Sequence, residues 1–110
     1  MVDWYYKKLQ QVKARTWFYE FDLPDGTRTS TDIPAEILPI HTARRDKLRR
    51  IIHDRVDRPH ELSAIDLASH EGYFSTELAR HFRSVRGYEI RRSSLDAAQL
   101  ITEVVRIGNV

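Results

Sequence analysis

The chain has 110 residues, 41% hydrophobic and 31% charged, with a formal net charge of +2. This suits one ordinary globular domain and is too apolar for a disordered segment. It contains no run near the ~20 apolar residues of a membrane-spanning helix. Met1-Val2-Asp3-Trp4-Tyr5-Tyr6-Lys7-Lys8 lacks the apolar core of a secretory signal, so a cytoplasmic location without membrane contact is expected, and the absence of cysteine excludes disulfides, thiolate catalysis and Cys-ligated metal centres.

Tyr5, Leu9 and Val12 fall at i, i+4 and i+7, which predicts a short helix over residues 4–15. From Thr16 the period changes to two. Trp17, Tyr19, Phe21 and Leu23 alternate with Phe18, Glu20 and Asp22, Pro24-Asp25-Gly26 supplies a turn, and Thr27 to Thr31 can return, so residues 16–31 read as a β-hairpin. Pro34 and Pro39 break the chain into a loop. Thr42 then caps a predicted helix running to about Val56, with Leu48, Ile51, Ile52 and Val56 on its apolar face and the Arg/Lys residues mostly opposite. Arg44, Arg45, Lys47, Arg49, Arg50, Arg55 and Arg58 make this the basic stretch of the chain, and Asp57-Arg58-Pro59 ends it.

The second half reads as strand Ser63–Leu67, a loop from Ala68 to Glu71, and a helix opened by Gly72 with Phe74, Leu78 and Phe82 on one face. A strand over Val85–Ile90 and a final helix follow. Ser93 and Asp96 have capping-box spacing at the start of that helix. Ala97, Ile101, Val104 and Val105 continue its apolar face, and Gly108 stops it. The β-α-β-α order over residues 60–110 indicates an α/β fold with a parallel sheet, preceded by a lead-in over residues 1–59. Two such strands alone leave free edges and a bare face, through which self-association is expected.

Asp66 lies near the C-terminal end of the first of these strands, small residues follow, and Gly72 opens the next helix. Glu89 lies 23 residues after Asp66, near the end of the second strand. Ligands of open α/β sheets bind at this end, and an acid about 20 residues on can accept hydrogen bonds from ribose hydroxyls. A G-x-G-x-x-G pyrophosphate fingerprint is absent, and Asp66 would repel phosphate. An adenosine ligand with a cationic or neutral reacting end suits these groups better, and S-adenosylmethionine answers that description.

Asp66-Leu67-Ala68-Ser69-His70-Glu71-Gly72-Tyr73-Phe74-Ser75 resembles the first motif of class I S-adenosylmethionine-dependent methyltransferases, commonly Asp/Glu-x-Gly-x-Gly-x-Gly. Gly87-Tyr88-Glu89-Ile90 resembles the family's second strand, and Trp17-Phe18-Tyr19-Glu20-Phe21-Asp22-Leu23-Pro24-Asp25-Gly26-Thr27 looks like the aromatic lead-in of some members. The resemblance covers roughly residues 60–110 and implies the first two β-α units of a Rossmann-like domain. It implies that Asp66 orients the methionine end, that Ala68, His70 and Gly72 form the loop around the ligand, that Glu89 holds the ribose and that Ile90 packs on the adenine. Alanine at 68 is a mild departure from the usual glycine. Histidine at 70 is a larger one, accommodated if its side chain points away from the cofactor. The family's sheet normally carries further strands, which supply the acceptor-binding and catalytic groups, so no catalytic residue or methyl acceptor is assigned. The chain then corresponds to an N-terminal portion, a truncated reading frame or a degenerate copy.

The five histidines show no metal-binding spacing, and no metal is expected. Glu71 reads as a solvated helix-start carboxylate, in preference to a general base. The aromatics of residues 17–21 read as hairpin core before they read as a stacking surface. The basic helix reads first as a solvated face. Its alternative is contact with nucleic-acid phosphates through Arg45 and Arg49, in a non-catalytic nucleic-acid-binding or protein-interaction module derived from a methyltransferase.

Overall fold

The first element is α1 (Val2–Ala14), and the computed structural model describes residues 2–105 and 109–110. Asp3 in its first turn and Lys13 in its last complement the helix dipole. Leu9 and Val12 are buried, as the spacing requires. They face the last helix, α4 (Arg92–Val104), where Lys8 pairs with Glu103 at 3.3 Å and the Tyr5 hydroxyl donates to the Val104 carbonyl at 2.9 Å.

Residues 16–31 form only part of the expected hairpin. Its tip is closed by Leu23 N–H to the Thr27 carbonyl (2.8 Å) and Gly26 N–H to the Leu23 carbonyl (3.0 Å), with Gly26 at φ +85° as the turn demands. Antiparallel pairing is confined to Asp22 opposite Arg28 and the adjacent Thr29–Phe21 hydrogen bond. Below that, side chains replace the ladder. The Thr29 hydroxyl accepts from Phe21 N–H and donates to the Tyr19 carbonyl, and the Thr31 hydroxyl donates to the Phe18 carbonyl. The chain bends at Phe18 and Tyr19, so β1 (Thr16–Trp17) runs parallel to β2 (Ser30–Thr31). The cause is polar: the N–H groups of Phe18 and Tyr19 are both taken by the Glu71 carboxylate and cannot serve a ladder. The inward alternation survives, with Trp17, Phe21 and Leu23 buried and Phe18 and Asp22 exposed.

The basic helix, α2 (Leu38–Arg55), starts at Leu38 and not at Thr42. Pro39 falls in its first turn, where a missing N–H leaves no bond unmade. Thr42 is therefore interior, and its hydroxyl donates to the Pro39 carbonyl at 3.1 Å. The inward face also differs from expectation. His41, Arg45, Leu48, Arg49, Ile52 and Val56 turn inward, while Ile51 is 47% exposed. Arg45 and Arg49 thus leave the solvated face, where Arg44, Lys47, Arg50 and Arg55 remain.

After a 3-10 turn over Pro59–Glu61, β3 (Ser63–Leu67) and β4 (Ser84–Tyr88) pair in parallel, from Ser63 opposite Ser84 to Leu67 opposite Tyr88. Glu89 and Ile90, expected within the second strand, lie just beyond its end. The connecting helix, α3 (Tyr73–Ala79), ends before Phe82, and its buried positions are Tyr73, Ser75, Thr76 and Glu77, with Phe74 and Leu78 half-buried. This short helix packs on both α2 and the sheet, so polar side chains that find partners there are buried along with the apolar ones. In α4 the Ser93–Asp96 capping box does not form: Arg91 is the N-cap, both residues are helical, and Asp96 pairs with Arg92 at 3.2 Å. The expected stop at Gly108 lies outside the described residues.

The core contains Leu9, Val12, Trp17, Phe21 and Leu23 from the first stretch and Tyr73, Ala97, Ile101 and Val104 from the second. Among the described residues the chain is therefore a mixed α/β fold, with four α-helices and two two-stranded parallel sheets around a shared core. One face of the larger sheet is bare, with Ile65 65% and Leu67 75% exposed. No helix among the described residues is long and apolar enough to cross a membrane.

Candidate cofactor site

The stretch from β3 to α3 has an unusual backbone. Ala68 (φ +57°), His70 (φ +55°) and Gly72 (φ +87°) are all left-handed, at alternate positions. For an L-residue with a side chain this conformation costs roughly 1–2 kcal/mol, so alanine at position 68 is not the mild change the sequence suggested. Several bonds hold the loop in this form. Ser69 N–H donates to the Tyr88 carbonyl (3.0 Å), His70 N–H to the Glu89 carboxylate (2.7 Å), and Gly72 N–H to the Ser69 carbonyl (2.9 Å). Gly87 permits the closeness: a Cβ there would stand 2.8 Å from the Ser69 hydroxyl oxygen and 3.1 Å from that of Ser75. The His70 ring packs against Phe18 and Tyr19, with centroids 5.0 and 5.5 Å away, and its Nδ1 accepts from Glu71 N–H at 2.9 Å.

The two acids singled out by the sequence flank this loop. Asp66 accepts a hydrogen bond from the Ser75 hydroxyl at 2.7 Å, which ties the end of β3 to the first turn of α3. Glu89 accepts from Arg91 N–H (2.9 Å) on one oxygen and from His70 N–H on the other, and these backbone donors hold its carboxyl below the usual carboxylate range. Each oxygen keeps a free lone pair. The Ile90 side chain beside it is fully exposed. Asp66, Ala68, His70, Gly72 and Glu89 are therefore gathered around one loop, with Ile90 at its rim.

Glu71 departs from expectation. It is 7% exposed and not solvated, because its carboxylate accepts from the N–H groups of Phe18 and Tyr19 at 2.9–3.0 Å. The first turn of the hairpin segment is thereby fastened to the loop.

Four further residues complete the surroundings and carried no local sequence signal. Ser75 faces Asp66, as above. Tyr73 stacks on Tyr19 at 4.8 Å with planes 6° apart. Glu77 is 4% exposed and takes a bidentate pair from Arg49, both bonds 2.8 Å, plus a contact from His81 at 2.8 Å. Burial pushes the Glu77 carboxyl up, but the hydrogen bonds from Arg49 and His81 outweigh it and the net pKa is lowered. His41, also buried, packs its ring against Phe18 and Tyr19, and burial together with Arg44 lowers its pKa. Arg45 Nη1 lies 3.4 Å from the Tyr73 hydroxyl. The two arginines the sequence offered to nucleic acid are thus engaged by partners of the fold, although Arg49 keeps 41% of its side chain exposed. Among the described residues no group of three or more His, Asp or Glu side chains is placed to hold a metal ion.

Comparisons with protein-family models, with curated proteins and with solved structures returned no match to this chain.

Proposed function

We propose that residues 60–110 are the cofactor-binding part of an S-adenosylmethionine-dependent methyltransferase of Rossmann-like fold, working in the cytoplasm. The observation that carries this reading is the run of left-handed residues at 68, 70 and 72. These are the positions at which the resembled motif has glycine, and the chain keeps that backbone even where Ala and His make it costly. In this reading Asp66 orients the methionine end of the ligand and Ala68, His70 and Gly72 shape the loop around it. An ionised Glu89 offers its free lone pairs to the ribose hydroxyls while retaining its backbone donors. Ile90 covers the adenine. The cofactor would supply an electrophilic methyl group on sulfonium, and the chain's part is to bind and orient it, which is where proximity contributes most. The acceptor is a nucleophile not specified by these residues.

Calorimetric titration of the 110-residue chain with S-adenosylmethionine at matched salt tests the reading. The expected result is saturable binding that weakens about tenfold or more in Asp66→Ala and in Glu89→Ala, because each loses hydrogen bonds to a charged group. Thermal melting of each variant checks that it still folds. No binding by the folded chain, or wild-type affinity in both variants, overturns it.

The non-catalytic alternative rests on a different observation. Arg44, Lys47 and Arg50 form an exposed row on α2 with no hydrogen-bond or ion-pair partner among the described residues. It requires RNA or DNA binding that falls with salt and is lost when these three are replaced by alanine, while Arg45 and Arg49 serve the fold.

A further inference from the structure

A cavity of about 500 Å³ opens between the C-terminal half of α2, the 3-10 turn and the residues just after α3. That size falls within the ~300–1,000 Å³ of small-molecule sites, which are mostly apolar with a few placed polar groups. Ile52, Val56 and Pro59 supply the apolar wall, Ile52 buried and the other two half-buried. The polar lining is Arg49, Arg50, His53 and His81, and among the described residues no carboxylate borders the cavity.

Three of these four polar groups are already committed. Arg49 is held by Glu77 through two bonds of 2.8 Å, His53 lies 3.0 Å from Asp54, and His81 Nε2 lies 2.8 Å from the Glu77 carboxylate. Arg50 has no hydrogen-bond or ion-pair partner among the described residues. It also precedes the last turn of α2, beyond which the pull of the helix dipole fades. Because an ionised carboxylate only accepts, the proton of a neutral His81 ring sits on Nε2, and Nδ1 is left as an acceptor with no partner among the described residues.

The occupant follows from these groups. The flat faces of Pro59 and the imidazole beside an aliphatic wall suit a planar hydrocarbon body. A free guanidinium is matched by a planar carboxylate, and Nδ1 by an N–H or hydroxyl donor. A cation would be repelled by Arg50, and a bare inorganic anion would gain nothing from the wall. We propose that the cavity is a binding site for a small aromatic carboxylate that also carries a hydrogen-bond donor. Its ring rests on Ile52, Val56 and Pro59, its carboxylate pairs with Arg50, and its donor meets His81 Nδ1. The site shares no residue with the loop between Asp66 and Glu89 and stands whether or not S-adenosylmethionine binds.

Titration of the isotope-labelled chain with indoleacetate, followed by methyl and imidazole NMR signals, tests it. The expected outcome is saturable shifts at Ile52, Val56 and His81. Indoleacetamide, which has the ring without the charge, should bind about fivefold more weakly, the scale of one exposed ion pair. Arg50→Gln should weaken the acid by a similar factor and leave the amide unchanged, while Lys47→Gln on the same helix should alter neither. The N-methylated indole acid, which lacks the donor for His81, should also bind more weakly than the parent. Four results would overturn the proposal: equal binding of acid and amide, equal binding of the N-methylated acid, shifts that bypass Ile52 and Val56, or no saturation by about 5 mM. A loss in Lys47→Gln equal to that in Arg50→Gln would assign the attraction to the general positive field of α2 and equally displace it.

Discussion

At the scale of single residues the decisive feature is the sign of φ at positions 68 and 70. Ala68 contributes no more than a methyl group there, so replacing it by glycine relieves the left-handed penalty at the expense of some unfolded-state entropy. Ala68→Gly should raise stability by about 0.5–1 kcal/mol in a urea titration. His70 shares the conformation, but its ring packs against Phe18 and Tyr19 and its Nδ1 accepts from Glu71 N–H. His70→Gly should therefore destabilise. Opposite signs at two residues of the same backbone class would separate strain from packing, and a gain in both would show that the ring contacts contribute nothing. The sequence placed both positions in the loop through the spacing of a resembled motif. It could not reveal their strain, because neither Ala nor His marks positive φ as glycine does.

At the scale of elements, what the sequence left hidden are the long-range polar ties. Glu71 to Phe18 and Tyr19 spans the chain from loop to hairpin and leaves those N–H groups no part in a ladder. Glu71→Gln keeps the shape but loses the charge and one acceptor oxygen, and should cost about 1–3 kcal/mol with the loss of exchange protection concentrated at Phe18 and Tyr19. Uniform loss of protection would contradict a local tie. The Arg49–Glu77 pair is the second such link, between α2 and α3. Because the folded pKa of Glu77 lies below its unfolded value, near 4.3, its contribution is complete above that value and disappears as pH falls through the folded pKa. Glu77→Gln should be less stable than the parent at pH 7, with the two unfolding curves converging in acid; a constant gap down to about pH 2 would remove Glu77 from the acid limb. Periodicity located α1, α3, α4 and both strands of the larger sheet to within a few residues, but the stripe it reads is the buried one in α1 and α4, whereas α3 buries Tyr73, Ser75, Thr76 and Glu77 and β3 leaves Ile65 and Leu67 exposed. It misplaced the inward face of α2 because Arg45 and Arg49 count as polar in any such pattern, and only a partner 28 residues away at Glu77 makes Arg49 an inward residue. The hairpin failed for the same reason, through an acceptor far along the chain.

At the scale of the whole molecule, the apolar groups divide between a closed core and an open sheet face. The core lies among α1, the hairpin segment, α3 and α4, so it does not cover the side of β3 and β4 that carries Ile65, Leu67 and Tyr88. The register sets Leu67 opposite Tyr88 and Ile65 opposite Arg86, which makes one continuous patch with a single cation in it. Parallel sheets are ordinarily covered on both faces, and contiguous apolar patches on a soluble surface mark places of association. Stability does not depend on these side chains, since little of Leu67 is buried, but colloidal behaviour should. The chain should therefore self-associate with rising concentration in sedimentation equilibrium, more strongly in sulfate, which strengthens apolar burial. Replacing Leu67 by Lys and Ile65 by Thr together should shift it toward monomer while leaving the melting midpoint within a few degrees, as exposed positions cost about 0.5 kcal/mol or less. An association constant unmoved by both changes would transfer the contact to another surface, with the exposed Trp4 and Tyr6 of α1 the next to replace. A midpoint that fell sharply would mean that the face is covered in the monomer after all.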